Sequence, residues 1–363
     1  MPILRLCTSH FFFALRFFIS SMTTTPSLDI IIPVWNSPAE TRACLVSILE
    51  SSATARLIIV NNGCDRVTEL MLEEFSDHLA DRAIYMTMER NIGFVPAVNR
   101  ALLRSDADWA LIVRPTGMVT AACIDQILAA TQREQSGMVT PHCSADFTVH
   151  PQFLKNGCAS IETAEISFSA LALSRLMREQ IGLFDEELDG GVWCLRDYRH
   201  RSHARGFRCY LVPHVSFAGG QGAVFGSEER RRMQRESAVE TFRARWGEQQ
   251  QLAVYLPRSA DERSLSDTLQ LLLNAARHGH RFMLYLHRRH HRTALQLGAA
   301  CLHSGVILHR LATLAPQRDL VRELERQRKQ IPGLQLACAL GGVSVPGSGA
   351  AAPAGILHQL AKS

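Results

Sequence analysis

What this sequence lacks narrows the field before any motif is read. Its ten cysteines include no C-x-x-C pair. Several of them sit in apolar runs, where a thiol behaves as a small hydrophobe. A reduced, cytosolic chain without a disulfide framework is therefore expected. Long hydrophobic runs are also missing. The longest candidate, F-F-F-A-L-R-F-F-I at 11–19, is too short to span a bilayer and is interrupted by Arg16. Excess charge is absent too: a formal net charge of +5 suits an anionic ligand but does not call for nucleic acid, and none is expected as a partner.

The N-terminal leader leaves three readings open. Arg5 precedes the apolar run, as in a signal peptide, but no small-x-small cleavage site is clear. A membrane-surface anchor is the second reading. The third is that translation starts at Met22. The expected location is cytoplasmic, with a peripheral position at the inner membrane surface as the variant.

What is present points to an α/β protein. A chain of 363 residues, 47% hydrophobic and 20% charged, is long enough for two globular domains. L-D-I-I-I-P-V at 28–34 is a continuous apolar run of the kind that forms a parallel strand covered on both faces, stopped by Pro33. The pattern then alternates: a helix over 41–51, a strand over 55–60 closed by Asn61-Asn62-Gly63, a helix over 67–79, and a strand over 83–86. A helix over 94–105 and a strand over 109–113 follow. Residues 161–176 read as mostly extended and 181–189 as a loop. A helix over 197–205 ends at Gly206, a strand over 207–212 is stopped by Pro213, and 227–246 is one long charged helix.

From about residue 250 the rhythm restarts. Strands are expected over 252–256, 282–286, 306–311 and 334–340, with helices over 265–277, 293–303 and 318–329 between them. This spacing suits right-handed crossover units and a second, smaller Rossmann-like domain. No glycine-rich dinucleotide fingerprint stands at its strand ends, so no nucleotide site is expected there. The division is a leader at 1–27, a first domain at 28–249, a second at 250–343, and a Gly/Pro/Ala tail with a short helix at 344–363. The histidine-rich stretches 278–281 and 287–292 read as a solvated basic rim, because neighbouring histidines in a loop do not converge on one ion.

Seven segments in order carry a family resemblance. D-I-I-I-P-V-W-N at 29–36, L-I-I-V-N-N-G-C-D at 57–65 and R-N-I-G-F-V-P-A-V-N-R-A at 90–101 are the first three. L-I-V-R-P-T-G at 111–117, G-L-F-D-E-E at 182–187, D-Y-R-H-R-S-H-A-R-G-F at 197–207, and Phe242 with Trp246-Gly247 follow. Together, over about 28–248, they resemble family 2 glycosyltransferases, which have the GT-A fold. The resemblance implies transfer of a sugar from a nucleotide-diphosphate sugar, usually with inversion. It also implies an acid against the nucleobase, an Asp-x-Asp corner holding a divalent metal, and a carboxylate that takes the acceptor's proton.

This chain departs from the pattern at all three places. Asn61 replaces the nucleobase acid. Arg114 and Thr116 stand at the metal corner, so no cofactor is expected; Mg²⁺ or Mn²⁺ would lack its usual ligands. The base position falls on Cys194 and Leu195, or on Trp193 and Cys194 by the other count. The family's late histidine is missing near Ala218, although His214 is close. An arginine can bind phosphate bidentately, so a metal-independent transferase is chemically reasonable. Its expected donor-site residues are Pro33, Asn36, Asn61, Asn91, Gly93, Arg114 and Thr116. The nearby acids are Asp185, Glu186, Glu187, Asp189 and Asp197. Asp197 is the catalytic candidate, against a plain role as a helix N-terminal acid favoured by the dipole. The alternative is a catalytically inactive binding or scaffold protein of the same fold, holding a protein partner through the second domain. Donor, acceptor and oligomeric state are not legible.

Overall fold

The computed structural model describes residues 26–189, 192–219, 228–339 and 355–362. The leader and most of the tail lie outside them. The first part runs β1 (Leu28–Val34), α1 (Pro38–Ser51), β2 (Arg56–Asn62), α2 (Arg66–Leu79), β3 (Ala83–Met88), α3 (Phe94–Leu102), β4 (Trp109–Val113) and β5 (Gly117–Met118). It continues through α4 (Ala121–Thr131), β6 (Ser136–Cys143), α5 (Pro151–Lys155), β7 (Ile161–Glu162), β8 (Ala170–Ser174) and α6 (Arg175–Ile181). It ends with α7 (Trp193–Ala204), β9 (Arg208–Gly219) and α8 (Glu228–Trp246).

The strands form one mixed sheet in the order β3-β2-β1-β4-β8-β6-β9-β5, with β7 also on β9. β1 runs parallel to β2 and β4, while β8 is antiparallel to both β4 and β6. The apolar runs serve both faces of this sheet. Ile30, Ile32, Leu57, Ile59, Leu111 and Val113 pack on one side under α1, α2 and α4. Ile31, Ile58, Val60, Ala110 and Ile112 pack on the other against α3, α6 and α7. A strand buried on both sides has no polar alternation, which is why its sequence reads as continuous.

The second part runs β10 (Gln251–Leu256), α9 (Glu262–Arg277), β11 (Arg281–Leu286), α10 (Arg288–Gln296), β12 (Val306–Arg310), α11 (Pro316–Gln330), β13 (Gln335–Cys338) and α12 (Ile356–Leu360). Its four strands are all parallel, in the order β12-β11-β10-β13. Among the described residues no helix is long and apolar enough to cross a membrane.

Several expectations need correction. Pro33 does not stop β1; it lies buried within it, opposite Val60. Pro213 does not stop β9, because the β6–β9 ladder shifts register between Pro141 and His142, and a proline is tolerated at such an irregularity. Helix α7 starts at Trp193, which puts Asp197 beyond the first turn, where the dipole acts. The basic stretch at 287–292 is largely helical, with His287 capping α10 and His290 buried, its Nε2 3.0 Å from the Ala260 carbonyl. Cys158 and Cys301 form a disulfide, with Cα atoms 5.5 Å apart, so the expectation of a wholly reduced chain fails for this pair.

The two sheets are joined closely. Arg277 donates to both carboxylate oxygens of Glu162, at 2.7 and 2.8 Å. The backbone N–H of Ser304 donates to the Glu162 carbonyl at 2.7 Å, and the Thr163 and Ser304 hydroxyls meet at 2.8 Å. Beside this seam lie five histidines, and His280 is no solvated rim residue but only 5% exposed. Burial lowers His200 to about 2, His303 to about 3, and His203 and His280 to about 4, with Arg199 adding to each shift; His278 is lowered as well. These imidazoles are neutral in the fold, whereas an unfolded histidine takes up a proton near pH 6.5.

The unfolded chain thus binds more protons as pH falls below about 6.5, and stability is lost towards pH 4 and below. Each unit of depression corresponds to roughly 1.4 kcal/mol once pH is below the folded value. The urea midpoint is expected to fall steeply between pH 7 and pH 4. A flat midpoint over that range would show that the histidines are not held neutral.

Candidate active site

The carboxyl ends of β1, β2 and β4 open on one edge of the mixed sheet, the usual place for a ligand in an open α/β sheet. After β1 the backbone turns through Asn36 and Ser37, with φ of 56° and 57°. The Asn36 side-chain oxygen accepts the Asp65 N–H at 2.8 Å, and its own N–H donates to Cys64 Sγ at 3.3 Å. Asn61 is 1% exposed. Its Oδ1 accepts the Cys64 N–H at 2.9 Å and its Nδ2 donates to the Tyr85 hydroxyl at 3.1 Å. In this conformation Asn61 shapes the turn after β2 instead of presenting its amide to a base.

Asn62, overlooked in the sequence, organises the next loop. Its Nδ2 donates to Asn91 Oδ1 at 3.2 Å and to the Gly93 carbonyl at 3.1 Å, while its Oδ1 accepts the Ile92 N–H at 3.1 Å. Asn91 Oδ1 also accepts the Gly93 N–H at 2.9 Å. Gly63 has φ of 69°, and a Cβ there would stand 2.4 Å from the Arg90 carbonyl carbon, so only glycine lets the two loops meet. Gly93, with φ of 102°, leads into α3.

Beside Gly93 stands Asp189. Its Oδ2 is 3.4 Å from where a Gly93 Cβ would sit. Burial raises the Asp189 carboxyl above the usual range; the Val95 N–H opposes the shift by donating to it, and the neighbouring Glu186 charge adds to it. The other acids of this region are more firmly occupied. Asp185 accepts from Arg245 at 2.6 Å and from the Glu187 N–H at 3.0 Å. Glu186 accepts from Asn99 at 2.9 Å.

Asp197 is not placed to act as a base. Only 1% exposed, it accepts from Arg201 at 2.8 Å, from Trp246 at 2.9 Å and from Arg245 at 3.4 Å. It fastens α7 to α8. His200 stacks on Trp246 in the same joint, with ring centroids 4.8 Å apart, and His214 is exposed on β9. Trp193 packs on Phe242, while Cys194 and Leu195 are buried, and burial pushes the Cys194 thiol far up.

The Arg114 corner is a tight turn in which the Gly117 N–H donates to the Arg114 carbonyl at 3.0 Å. A Cβ on Gly117 would fall 1.9 Å from the Phe217 ring, so the turn requires glycine. The Arg114 guanidinium lies 3.9 Å from Asp146, which approaches from the segment after β6. Ser167 and Ser169 donate their hydroxyls to the other Asp146 oxygen, Ser169 at 2.6 Å. Between these serines, Phe168 packs on Phe94 and Phe184, each with centroids 5.1 Å apart, which links the corner to the Gly93 shelf. Asp146 and its serines carry no local motif, and only the topology of β6 and β8 brings them to Arg114.

A divalent cation does not fit this corner as it is built. The Arg114 guanidinium stands at the corner where the resemblance placed a metal, and among the described residues no group of three His, Cys, Asp or Glu side chains converges as a metal site. Thr116 keeps its place in the turn beside Arg114.

No curated protein sequence matches the chain. Among solved structures, a mannosyltransferase from Pyrobaculum calidifontis in complex with GDP-Man and Mn²⁺ is 15% identical, over 65% of this chain and 70% of that one, with a TM-score of 0.47. TarS residues 1–349 from S. aureus is 12% identical, over 60% and 72% of the two chains, with a TM-score of 0.45. The family model described as Glycosyl transferase family 2 matches residues 29–159, which hold β1 to α5, the Gly93 shelf and the Arg114 corner. Over that span the chain is similar to glycosyl transferase family 2, and the strands it covers belong to a mixed sheet of the GT-A kind.

Proposed function

We propose that the protein transfers a glycosyl unit from a nucleotide-diphosphate sugar to an acceptor hydroxyl, with arginine in place of a metal. The observation that carries this reading is the position of Arg114. Its guanidinium stands at the carboxyl end of the central strand β4, beyond hydrogen-bond range of Asp146, where the family holds its metal. A planar, permanently charged fork suits a diphosphate and compensates the charge that develops on it as it leaves. Asn36, Asn61, Asn91, Gly93 and Thr116 frame the donor through the turns described above, with Pro33 behind them near the end of β1. The acceptor oxygen attacks the anomeric carbon, the bond to the diphosphate breaks, and its electron pair leaves with the nucleotide. Asp189, not Asp197, takes the acceptor proton, because it is the desolvated carboxylate beside the shelf. The units at 28–249 and 250–343 act as donor domain and partner domain.

A non-catalytic binding module of the same fold is the second reading. It is favoured by Cys194 and Leu195 being buried where the family has its base.

Titration with UDP-glucose and GDP-mannose, in EDTA and in Mn²⁺, tests the first step. One of the two should bind in EDTA, and Arg114→Ala should weaken it by about 10- to 100-fold, the loss of one or two charge-assisted hydrogen bonds. Failure of both to bind, or binding that requires Mn²⁺, would overturn the Arg114 assignment.

For the chemical step, donor hydrolysis or transfer should fall by about 10²- to 10⁴-fold in Asp189→Asn with donor affinity kept. Since burial raises the Asp189 carboxyl, activity should decline as pH drops through a value above the ordinary carboxylate range. Full turnover in Asp189→Asn rules out this base, and binding without turnover in the native protein supports the non-catalytic module. Asp197→Ala serves a different purpose. It leaves Arg201 and Arg245 without their buried partner and should cost about 3–5 kcal/mol in urea unfolding; an unchanged midpoint would remove the structural role assigned to it.

A further inference from the structure

A cavity of about 540 Å³ lies between the mixed sheet and the second sheet. Its walls come from the segment after β6, from residues 164–165, and from β10, β11 and the turn before β12. That volume is in the range of small-ligand sites. The walls are fastened on both flanks. On one, Cys158 is bonded to Cys301, Gln152 donates to the Ala300 carbonyl at 3.0 Å, and Gln152 accepts the Leu308 N–H at 2.7 Å. On the other stand the Thr163–Ser304 and Glu162–Arg277 contacts. The cleft therefore exists before any ligand arrives, which lowers the ordering cost of binding.

Two features of the lining select its occupant. The first is charge. Arg281 is the only arginine or lysine among the described lining residues, and it is paired with Glu165. His150 and His280 are held towards the neutral form by burial. Asp146 and Glu165 are the acids. No cation is left without an acidic partner to receive a phosphate or carboxylate, whereas carboxylates and imidazoles suit hydroxyl groups. Partly buried Phe147 adds an apolar face beside them. The second feature is position. Asp146 lines this cleft and also stands 3.9 Å from Arg114, so the cleft adjoins the donor corner.

We propose that this cleft is the acceptor site and that it takes a neutral saccharide, one of whose hydroxyls it delivers past Asp146 to the donor corner. The assignment rests on the glycosyl-transfer reading for its purpose, but its binding can be measured separately. It also gives the second sheet a role in the reaction, since that sheet supplies one wall of the acceptor site.

Saturation-transfer NMR on the full chain tests it, with methyl β-D-glucopyranoside and methyl α-D-mannopyranoside as neutral probes and glucose 6-phosphate as the anionic one. Thr148→Trp and Gln251→Trp would fill the cleft from opposite walls; both positions are exposed, so the fold should tolerate them. At least one neutral glycoside should bind near the millimolar range and lose about tenfold or more in both variants. Affinity for the nucleotide sugar should stay within about twofold, since neither residue belongs to the donor corner. Unchanged glycoside binding in the variants, tighter binding of glucose 6-phosphate, or no glycoside binding by a protein that binds a nucleotide sugar would each overturn the proposal. Glycoside binding that both variants abolish, in a protein that binds no nucleotide sugar, would refute the donor reading while upholding the saccharide site.

Discussion

The arrangement of the molecule depends on Glu162. Its side chain takes two hydrogen bonds from Arg277 and a third, at 3.2 Å, from Arg208. Its backbone pairs with Tyr210 of β9 on one side and bridges to His303 on the other. One residue thus belongs to the edge of the mixed sheet and to the seam with the second sheet. A buried ion pair of this kind is only weak evidence of net stability, because desolvation offsets much of the attraction. Its effect is geometric. Two forked guanidiniums on one carboxylate leave little freedom of angle, and the cleft beside them takes its shape from that restraint.

The same restraint explains the five histidines. Arg199 is buried behind the seam, with one guanidinium nitrogen 2.7 Å from His200 and another donating to the Arg277 carbonyl. Burial does most to keep the surrounding imidazoles neutral, and this buried cation adds to the cost of a second positive charge. Neutral imidazoles can accept as well as donate, and His280 and His303 do accept, from the Gln250 and Gly305 N–H groups at 3.0 and 2.9 Å. What reads in sequence as a basic rim is, for His278 to Arg281, a neutral joint with one paired arginine at its end.

Legibility followed burial pattern. β1, β2, β4, β10 and β11 announce themselves as apolar runs, because both their faces are covered. β6 does not: S-G-M-V-T-P-H-C carries a glycine and a proline, and nothing local shows that Gly137 is needed where Met177 and Phe207 press close. The antiparallel placement of β8 between β4 and β6 is a property of topology and leaves no mark on its five residues. Arg114 and Gly93 drew attention because they stand on segments that resemble family motifs. Asp146 was invisible because its partner, Arg114, is brought to it only by that topology. The reading of Asp197 as a helix N-terminal acid fails because helix α7 begins four residues earlier than its polar pattern indicates, with no side-chain cap at Val192 to mark the start.

On the reading proposed above, an arginine corner in place of a metal corner changes more than the charge carrier. A bound divalent ion draws carboxylates into contact with itself, so acids at the corner are spent on holding it. Arg114 needs no such ligands, and its neighbour Asp146 is restrained by Ser167 and Ser169 instead. Those two hydroxyls compete for the carboxylate and keep it 3.9 Å from the guanidinium, short of the bidentate contact that would consume the arginine's donors. The pair is close enough to offset the arginine's charge when the corner holds no anion, yet loose enough for an incoming diphosphate to take the stronger contact. Asp146 is then left facing the cleft between the two sheets, with a lone pair available to an acceptor hydroxyl. In the proposed reading, Asp146 and Asp189 are displaced acids that stand in for the family's motifs.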